Sequence, residues 1–390
     1  MQSDKKLLNI KNIIIFSIFT IVYFQFFYSY HKMSILGGNS FTTSDWLINY
    51  NYGFIRRGMF GTMLFMFSNN PNVILNILPF TLNLIYFINI LLVLKLFLKE
   101  KQNLISYFIL FSPAFLFFPI FDPSAGYRKE ILGILTVNIL INFKKEILNK
   151  TSYLILFHLL FLFAIFSHEV NLLFLPIIFF IVFNETRFSN KFKKILVSIT
   201  SISILCVISI LQTTSESELS QKRNSMCEDL INWGFSDYLC GFGSFDFLAW
   251  DTKANYYFSK QNYLDPNQSY EHYLYLFFLS LLPFVFGNFF KNKYLRLYVI
   301  ISIIFTIPYF VIAVDWGRWI HILIWCYSIL YFDMKKTNSN NYSNILFLLV
   351  PVYLFLFNIP HCCINEGNMV INLTDNFQIF INKIAEFYRV

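Results

Sequence analysis

Asn49-Tyr50-Asn51-Tyr52-Gly53-Phe54-Ile55-Arg56-Arg57-Gly58-Met59-Phe60-Gly61 is a polar interlude between two long apolar runs, 12–30 and 73–98. Two adjacent arginines beside an apolar run set the problem that the rest of the chain has to answer. Working outward from it, apolar runs of roughly 16 to 25 residues recur, the length that suits transmembrane helices. They fall near 12–30, 73–98, 104–121, 131–147, 152–167, 170–184, 195–213, 271–290, 297–314, 319–333 and 343–359. The chain of 390 residues is 56% hydrophobic, 21% aromatic and only 13% charged. A soluble domain does not solvate that composition. The expectation is an all-α, polytopic transmembrane bundle of about eleven spans, a single integral membrane domain over 1–390. The first run has no small-residue cleavage site and reads as a retained span, not a signal peptide. No internal repeat and no Pro- or Gly-rich linker divides the chain.

Charge orients the spans. With the amino terminus inside and the carboxyl terminus outside, the inside segments hold 17 basic and five acidic residues, the outside segments 12 and 17. Basic residues collect in cytoplasmic loops of membrane proteins. The formal net charge of +8 is therefore a topology signal and not a sign of nucleic-acid binding. Two outside loops are long: 31–72, which holds Arg56 and Arg57, and 214–270.

Arginines that break the positive-inside rule need a reason. One is contact with lipid headgroups. The other is an anionic ligand, with Gly53, Gly58 and Gly61 letting backbone come close to it. Three further turns face the same side. Asp122-Pro123-Ser124-Ala125-Gly126-Tyr127-Arg128-Lys129-Glu130 places two cations beside carboxylates. It is either a local ion pair of Arg128 with Asp122 or Glu130, or part of a ligand site, and the two can coexist. Pro113 and Pro119 in the run leading to it predict a broken helix whose freed backbone lines a cavity. Ser167-His168-Glu169 tips a hairpin of two runs too short to cross about 30 Å of hydrocarbon, so the pair is expected to be sunk below the outer surface. Ionisable residues at such depth are costly unless paired or functional. His158, alone on an apolar stretch, reads as a packing histidine. Asp315-Trp316-Gly317-Arg318-Trp319 puts Asp315 and Arg318 on one helical face, and Arg318 and His321 likewise, by their spacing of three.

Loop 214–270 is rich in rings, among them Trp233, Phe235, Tyr238, Phe242, Phe245, Phe247, Trp250, Tyr256, Tyr257 and Tyr263. They are suited to stacking on sugars, or to lying on the membrane surface as aromatic belts do. Cys227 and Cys240 are expected to pair in an oxidising compartment, and Cys206 and Cys326, in spans, to be free. The stretch 376–388 reads as an amphipathic surface helix, and Cys362 and Cys363 carry no assigned chemistry.

Five of the six basic residues in short outside turns lie in these motifs: Arg56, Arg57, Arg128, Lys129 and Arg318. His168, Glu169, Asp45 and Asp315 stand around them. The expectation is a pocket of strong positive potential in which guanidiniums clamp a phosphate bidentately and a nearby base serves an acceptor hydroxyl. No motif argues for a metal or cofactor.

Many short spans, one large aromatic outer loop and outward Arg and His residues together resemble the bacterial O-antigen and capsule repeat-unit polymerases. The resemblance covers the whole chain in layout. It implies a metal-independent, C-type-like glycosyltransferase of the inner membrane. Its substrate would be an undecaprenyl-pyrophosphate-linked glycan, polymerised at the periplasmic face alongside a flippase and a chain-length regulator. It also implies a pyrophosphate clamp of Arg56, Arg57, Arg128, Lys129 and Arg318, with His168, Glu169, Asp45 and Asp315 as catalytic candidates. Two rivals stay open. One is a C-type transferase using a polyprenyl-phosphate sugar, for which Asp45 in the first outer loop would be the catalytic aspartate. The other is a lipid or glycan transporter, which would call for repeat symmetry and midplane polar sites.

Overall fold

The computed structural model describes residues 2–99, 102–186, 195, 216–334, 348–364 and 371–388. Among them all regular structure is helical and no strand is present. In chain order the helices are α1 (Gln2–Ile35), α2 (Thr43–Leu47), α3 (Met59–Phe65), α4 (Pro71–Lys99), α5 (Leu104–Leu110), α6 (Phe118–Phe121), α7 (Pro123–Gly126) and α8 (Glu130–Asn142). They continue as α9 (Lys144–Asn149), α10 (Thr151–Ser167), a 3-10 turn over Glu169–Phe174, α11 (Leu175–Thr186), α12 (Glu216–Asn232) and α13 (Ser244–Ala249). The last are α14 (Thr252–Leu264), α15 (Glu271–Phe286), α16 (Lys293–Ile312), α17 (Trp316–Met334), α18 (Leu349–Leu356) and α19 (Leu373–Tyr388). The expected run 195–213, Cys206, the loop residues 187–194 and 335–342, and the start of the 343–359 run lie outside the described residues.

Two helices, α4 and α16, are long and apolar enough by length and composition to cross a membrane, and α8, α10 and α15 are shorter apolar helices. Several carry large apolar side chains on their outer faces. Phe80 and Phe87 of α4, Leu156 and Leu159 of α10, Phe278 and Leu282 of α15, and Ile300, Ile304 and Val311 of α16 are all exposed.

Two of the expected runs are not single helices. The run 104–121 stops at Leu110 and resumes only at Phe118, because Pro113 has no N–H to continue the ladder. The freed Ala114 carbonyl does not line a cavity; it accepts a hydrogen bond from His321 Nδ1 at 2.9 Å. The run 131–147 breaks at Phe143 (φ −126°, ψ 25°) into α8 and α9. Lys144, just past the break, pairs with Asp333 at 2.7 Å and so ties this corner to the end of α17.

Two hydrophobic clusters share α8 and α10. Ile131 and Leu132 of α8 and Ala164 of α10 belong to the smaller, with Trp46, Phe60, Leu78 and the α12–α13 region. Ile134 and Val137 of α8 and Phe157 and Phe161 of α10 belong to the larger, with α11, α15 and α17. The ends of α8 and α10 that carry the charged turns therefore lie where the two clusters meet. His158 is buried and bonds the Leu154 carbonyl at 2.6 Å, in keeping with a packing role.

The segment 216–270 folds back on the segment 36–58. Ser44 Oγ donates to Leu239 O at 2.6 Å, and Ser40 Oγ to Phe242 O at 2.9 Å. Cys227 and Cys240 are joined as a disulfide, with Cα atoms 5.8 Å apart. Cys326 is free and buried. Cys362 and Cys363, to which the sequence assigns no chemistry, are joined to each other.

Closing the loop between Cys227 and Cys240, 13 positions apart, is worth about 3 kcal/mol in the chain-entropy model. Alkylation of the unreduced protein should therefore leave both untouched, and a Cys227→Ser/Cys240→Ser variant should lose stability of that order in a thermal-unfolding series. Labelling of Cys227 without reduction would show that the pair does not form.

Candidate active site

Irregular backbone carries the charged side chains inward. Arg57 has φ 70°, a left-handed conformation that is uncommon outside glycine and asparagine. Its guanidinium then reaches Glu169, 112 positions further along the chain. Arg57 Nε lies 3.0 Å from both carboxylate oxygens and one terminal amine is 2.6 Å from Oε1. Arg56, next to it, donates to Phe247 O at 2.5 Å and Trp250 O at 3.2 Å, and lies 3.9 Å from Glu169.

The glycines have another role than the one expected of them. A Cβ on Gly58 would meet the Tyr50 ring at 2.2 Å, and one on Gly61 would meet the Ile48 carbonyl at 2.0 Å. Their close approach is to the chain's own first outer loop and not to a ligand.

The four turns converge. Arg56 and Arg57, Arg128, His168 and Glu169, and Asp315 and Arg318 all line one cavity of about 570 Å³. One wall is aromatic, with Phe41, Phe242, Phe247 and Phe258. Another is apolar and comes from the end of α16, with Pro308, Tyr309 and Ile312. Of the rings named in loop 214–270, Phe242 and Phe247 reach the cavity; Trp250 packs on both from behind. Trp233 and Phe235 pack instead on Phe65, and Phe245 is in the smaller core.

Two candidates stand behind the cavity and do not line it. Asp45 and Lys129 are both fully buried. Lys129 Nζ donates to Arg57 O at 2.8 Å and lies 3.8 Å from Asp45. Asp45 also sits 4.0 Å from Arg57, and neither of its oxygens has a hydrogen-bond partner. The segment 43–58 is thus pinned to the start of α8 by a buried lysine and a buried aspartate, which explains why neither side chain is available to a ligand. Burial brings the Lys129 amine down to about 8, with Asp45 opposing the fall. For Asp45, burial favours the neutral acid, but Lys129 and Arg57 together hold its carboxyl below the usual range.

The pairing also corrects the expected potential. The cations Arg56, Arg57, Arg128, Lys129 and Arg318 face the carboxylates Asp45, Glu130, Glu169 and Asp315. Five against four leaves this cluster a formal charge of +1, and of the groups that line the cavity itself four arginines face two carboxylates. Burying cations without counter-charges costs several kcal/mol each, so each guanidinium arrives with a partner. Arg318 binds Glu130 and, at 2.8 Å, Asp315. The exception is Arg128. It is 7% exposed, and among the described residues no carboxylate lies within ion-pair reach of it. Its contacts are Phe41 O at 2.5 Å and Ser244 Oγ at 3.1 Å, and its Nε has no partner. The local ion pair with Asp122 or Glu130 does not form.

His168 is 2% exposed, and its Nδ1 accepts the backbone N–H of Val170 at 3.1 Å. Accepting there means that Nδ1 carries no proton. Burial, reinforced by Arg57, brings the ring down to about 3. His168 is therefore neutral, with its proton on Nε2, 4.0 Å from Glu130. In this tautomer it can donate a hydrogen bond but cannot accept a proton at Nε2. Glu169 is driven toward the neutral acid by burial, yet Arg57 and Arg56 hold it well below the usual range, which makes it a poor base. Asp315 uses one oxygen on Arg318 and remains part-exposed to the cavity. Among the described residues no three His, Cys, Asp or Glu side chains are placed to share a metal ion.

A further pair escaped sequence reasoning altogether. His361 lines the cavity, and both its backbone N–H and its Nδ1 lie 2.6 Å from Asp122 Oδ2. The residues are 239 positions apart, and nothing local in either turn signals the contact.

Two outcomes follow. The His168 value lies below the ~6.5 of an unfolded histidine, so between pH 6.5 and 3 the unfolded state binds the extra proton. Stability should fall on acidification below 6.5, by up to about 1.4 kcal/mol per pH unit. His168→Gln should flatten the fall in Tm between pH 6.5 and 5; an unchanged slope would count against a buried neutral ring. Separately, Lys129→Met should cost about 3–5 kcal/mol by stranding a buried carboxylate. Adding Asp45→Asn should return a substantial part of that loss in a double-mutant cycle, and strict additivity would argue that the two do not interact.

No family model matches the chain, and neither a curated protein nor a solved structure is found to be similar to it.

Proposed function

We propose that the chain is a metal-independent glycosyltransferase of the membrane, joining undecaprenyl-pyrophosphate-linked oligosaccharide repeat units in the manner of a polysaccharide polymerase. The observation that carries the reading is Arg128. A nearly buried guanidinium with no carboxylate in reach, opening on a cavity that three other arginines line, is suited to an anionic ligand. Guanidinium recognises phosphate through paired N–H donors. The cavity walls fit the two other parts of such a substrate. Phe41, Phe242, Phe247 and Phe258 offer faces on which sugar rings stack. The end of α16 offers apolar surface within the cavity, while its outer side exposes Ile300, Ile304 and Val311. An exposed apolar face of that extent is a membrane or partner surface, and a polyprenyl tail would run along it.

In this reading the chain makes about eleven spans, with the amino terminus cytoplasmic and the cavity at the periplasmic face of the inner membrane. Hydropathy and the inside excess of basic residues support that placement. Pyrophosphate is the leaving group of the transfer. Arg128 and Arg56 meet the charge that develops on it, and Arg57 and Arg318, already held by Glu169 and Glu130, position the cavity wall. The rival transferase using a polyprenyl-phosphate sugar leaned on Asp45, which lies behind the cavity, and no other observation favours it.

The test is a membrane assay with lipid-linked oligosaccharide extracted from cells lacking the gene. Arg128→Ala should reduce polymer formation by about 10²–10³, the usual effect of removing one donor to a developing charge, while the protein still inserts and keeps its Tm. Arg128→Lys should recover little of it, because the forked geometry is lost. Full polymer formation by Arg128→Ala would end the proposal.

A further inference from the structure

The two histidines that line the cavity are fixed in opposite states by their partners. His168 must accept at Nδ1, because the group opposite is the backbone N–H of Val170. His361 must donate at Nδ1, because the atom opposite is a carboxylate oxygen of Asp122 that also receives the His361 backbone N–H. A neutral ring that donates from Nδ1 carries its lone pair on Nε2. That atom makes no hydrogen bond among the described residues and is not one of the buried unpaired atoms. The ring is part-exposed, with 29% of its side chain accessible, and it forms part of the cavity wall.

The position is built, not incidental. His361 O accepts the backbone N–H of Gly317 at 3.1 Å, and Ser269 donates to Ile364 O at 2.8 Å. Phe357, Ile359 and Ile364 are buried on either side. Gly317 is required for this docking, since a Cβ there would sit 2.0 Å from the Pro360 carbonyl. The non-helical segment 357–364, which bends at 361–362, is thereby fixed beside the corner that carries Asp315 and Arg318. Asp122, for its part, is anchored at the start of α7, where its other oxygen accepts from Ala125 N at 3.1 Å.

We propose that His361 is the proton acceptor of this cavity, a catalytic residue whose ring is oriented by Asp122 and whose Nε2 takes the proton of an acceptor sugar hydroxyl. The assignment rests on the transferase reading above and names the base that it leaves open. The acceptor O–H breaks as Nε2 takes the proton. The oxygen's electron pair forms the new bond to the anomeric carbon of the donor. The anomeric C–O bond to pyrophosphate breaks, and its electron pair leaves on the phosphate oxygen, toward Arg128 and Arg56. The imidazolium that results is stabilised by Asp122 and returns its proton to water. A carboxylate on Nδ1–H serves in this way to hold the tautomer and to favour the charged ring. Burial alone would push the Asp122 carboxyl up, but its bonds to His361 hold it below the usual range. Among the described residues, the other charged and titratable groups around the pair are Asp315 and Arg318 at the α16–α17 corner and Tyr273 of α15.

The experiment uses the full-length protein in membranes or detergent, with two measurements on each variant: polymer formation from extracted lipid-linked oligosaccharide, and thermal stabilisation by undecaprenyl pyrophosphate. His361→Ala and His361→Gln should bind undecaprenyl pyrophosphate within a few-fold of wild type. Their turnover should fall by about 10²–10⁴, the range for loss of a general base. The acid limb of the pH–rate profile should vanish in His361→Gln, and added imidazole should restore part of the rate of His361→Ala. Asp122→Asn should lose turnover with binding kept. A wild-type rate in His361→Ala overturns the assignment and leaves the transferase reading standing. So does loss of both binding and turnover without rescue by imidazole, which would make the residue structural. A wild-type protein that neither forms polymer nor is stabilised by undecaprenyl pyrophosphate overturns the transferase reading, and this assignment with it.

Discussion

The ion pair between Arg57 and Glu169 holds together two parts of the chain that share no secondary structure. Arg57 grips the carboxylate with Nε and a terminal amine, so the segment 48–58 and the α10–α11 tip cannot separate without stranding two charges. Both side chains are part-exposed, so breaking the pair costs less than the ~3–5 kcal/mol of a fully buried one. Around this clamp the rest is placed in sequence. Lys129 donates to the Arg57 carbonyl, Asp45 sits against both, and His168 follows Glu169 into the interior. The cavity wall is therefore a consequence of where one arginine and one glutamate meet.

A site built in this way is close to neutral when empty. That has a chemical meaning for an anionic ligand. Guanidiniums already oriented by carboxylates need little reorganisation when negative charge develops beside them, and preorganised donors do most where water is excluded. The remaining N–H donors, on Arg128 above all, are the ones free to respond. The opposite tautomers of His168 and His361 add a further asymmetry, a hydrogen-bond donor on one part of the wall and a hydrogen-bond acceptor on another.

Much of the arrangement was legible in the sequence, and the limits have physical causes. Hydropathy locates turns, and charge bias assigns them to a side, so Arg56, Arg57, Arg128, His168, Glu169, Asp315 and Arg318 could be grouped before any coordinates. The spacing of Asp315 and Arg318 even gave their contact. What turns do not reveal is the direction of each side chain. Lys129 follows Arg128 directly, yet one is in the protein interior and the other at the cavity. Arg57 depends on a left-handed backbone that no rule expects at an arginine. Periodicity likewise misses a break such as 111–117, where composition stays apolar while proline removes the ladder. Asp122 and His361 carry no signal at all, because their pairing is set by how the tail docks and not by anything near either residue.

That docking bears on how the protein is made. The cavity draws its wall from Phe41 at one extreme to Cys363 at the other. As a chain emerges from the ribosome, the clamp of Arg57 on Glu169 can close once the first half is out. The Asp122 carboxylate must wait for some 240 further residues before His361 arrives to meet it. Until then Gly317 has no Pro360 carbonyl packed against it, and the corner bearing Arg318 is uncovered. Closure of the first clamp and completion of the cavity wall therefore come apart in time: Arg57 can hold Glu169 long before Arg318 meets Glu130 and His361 meets Asp122.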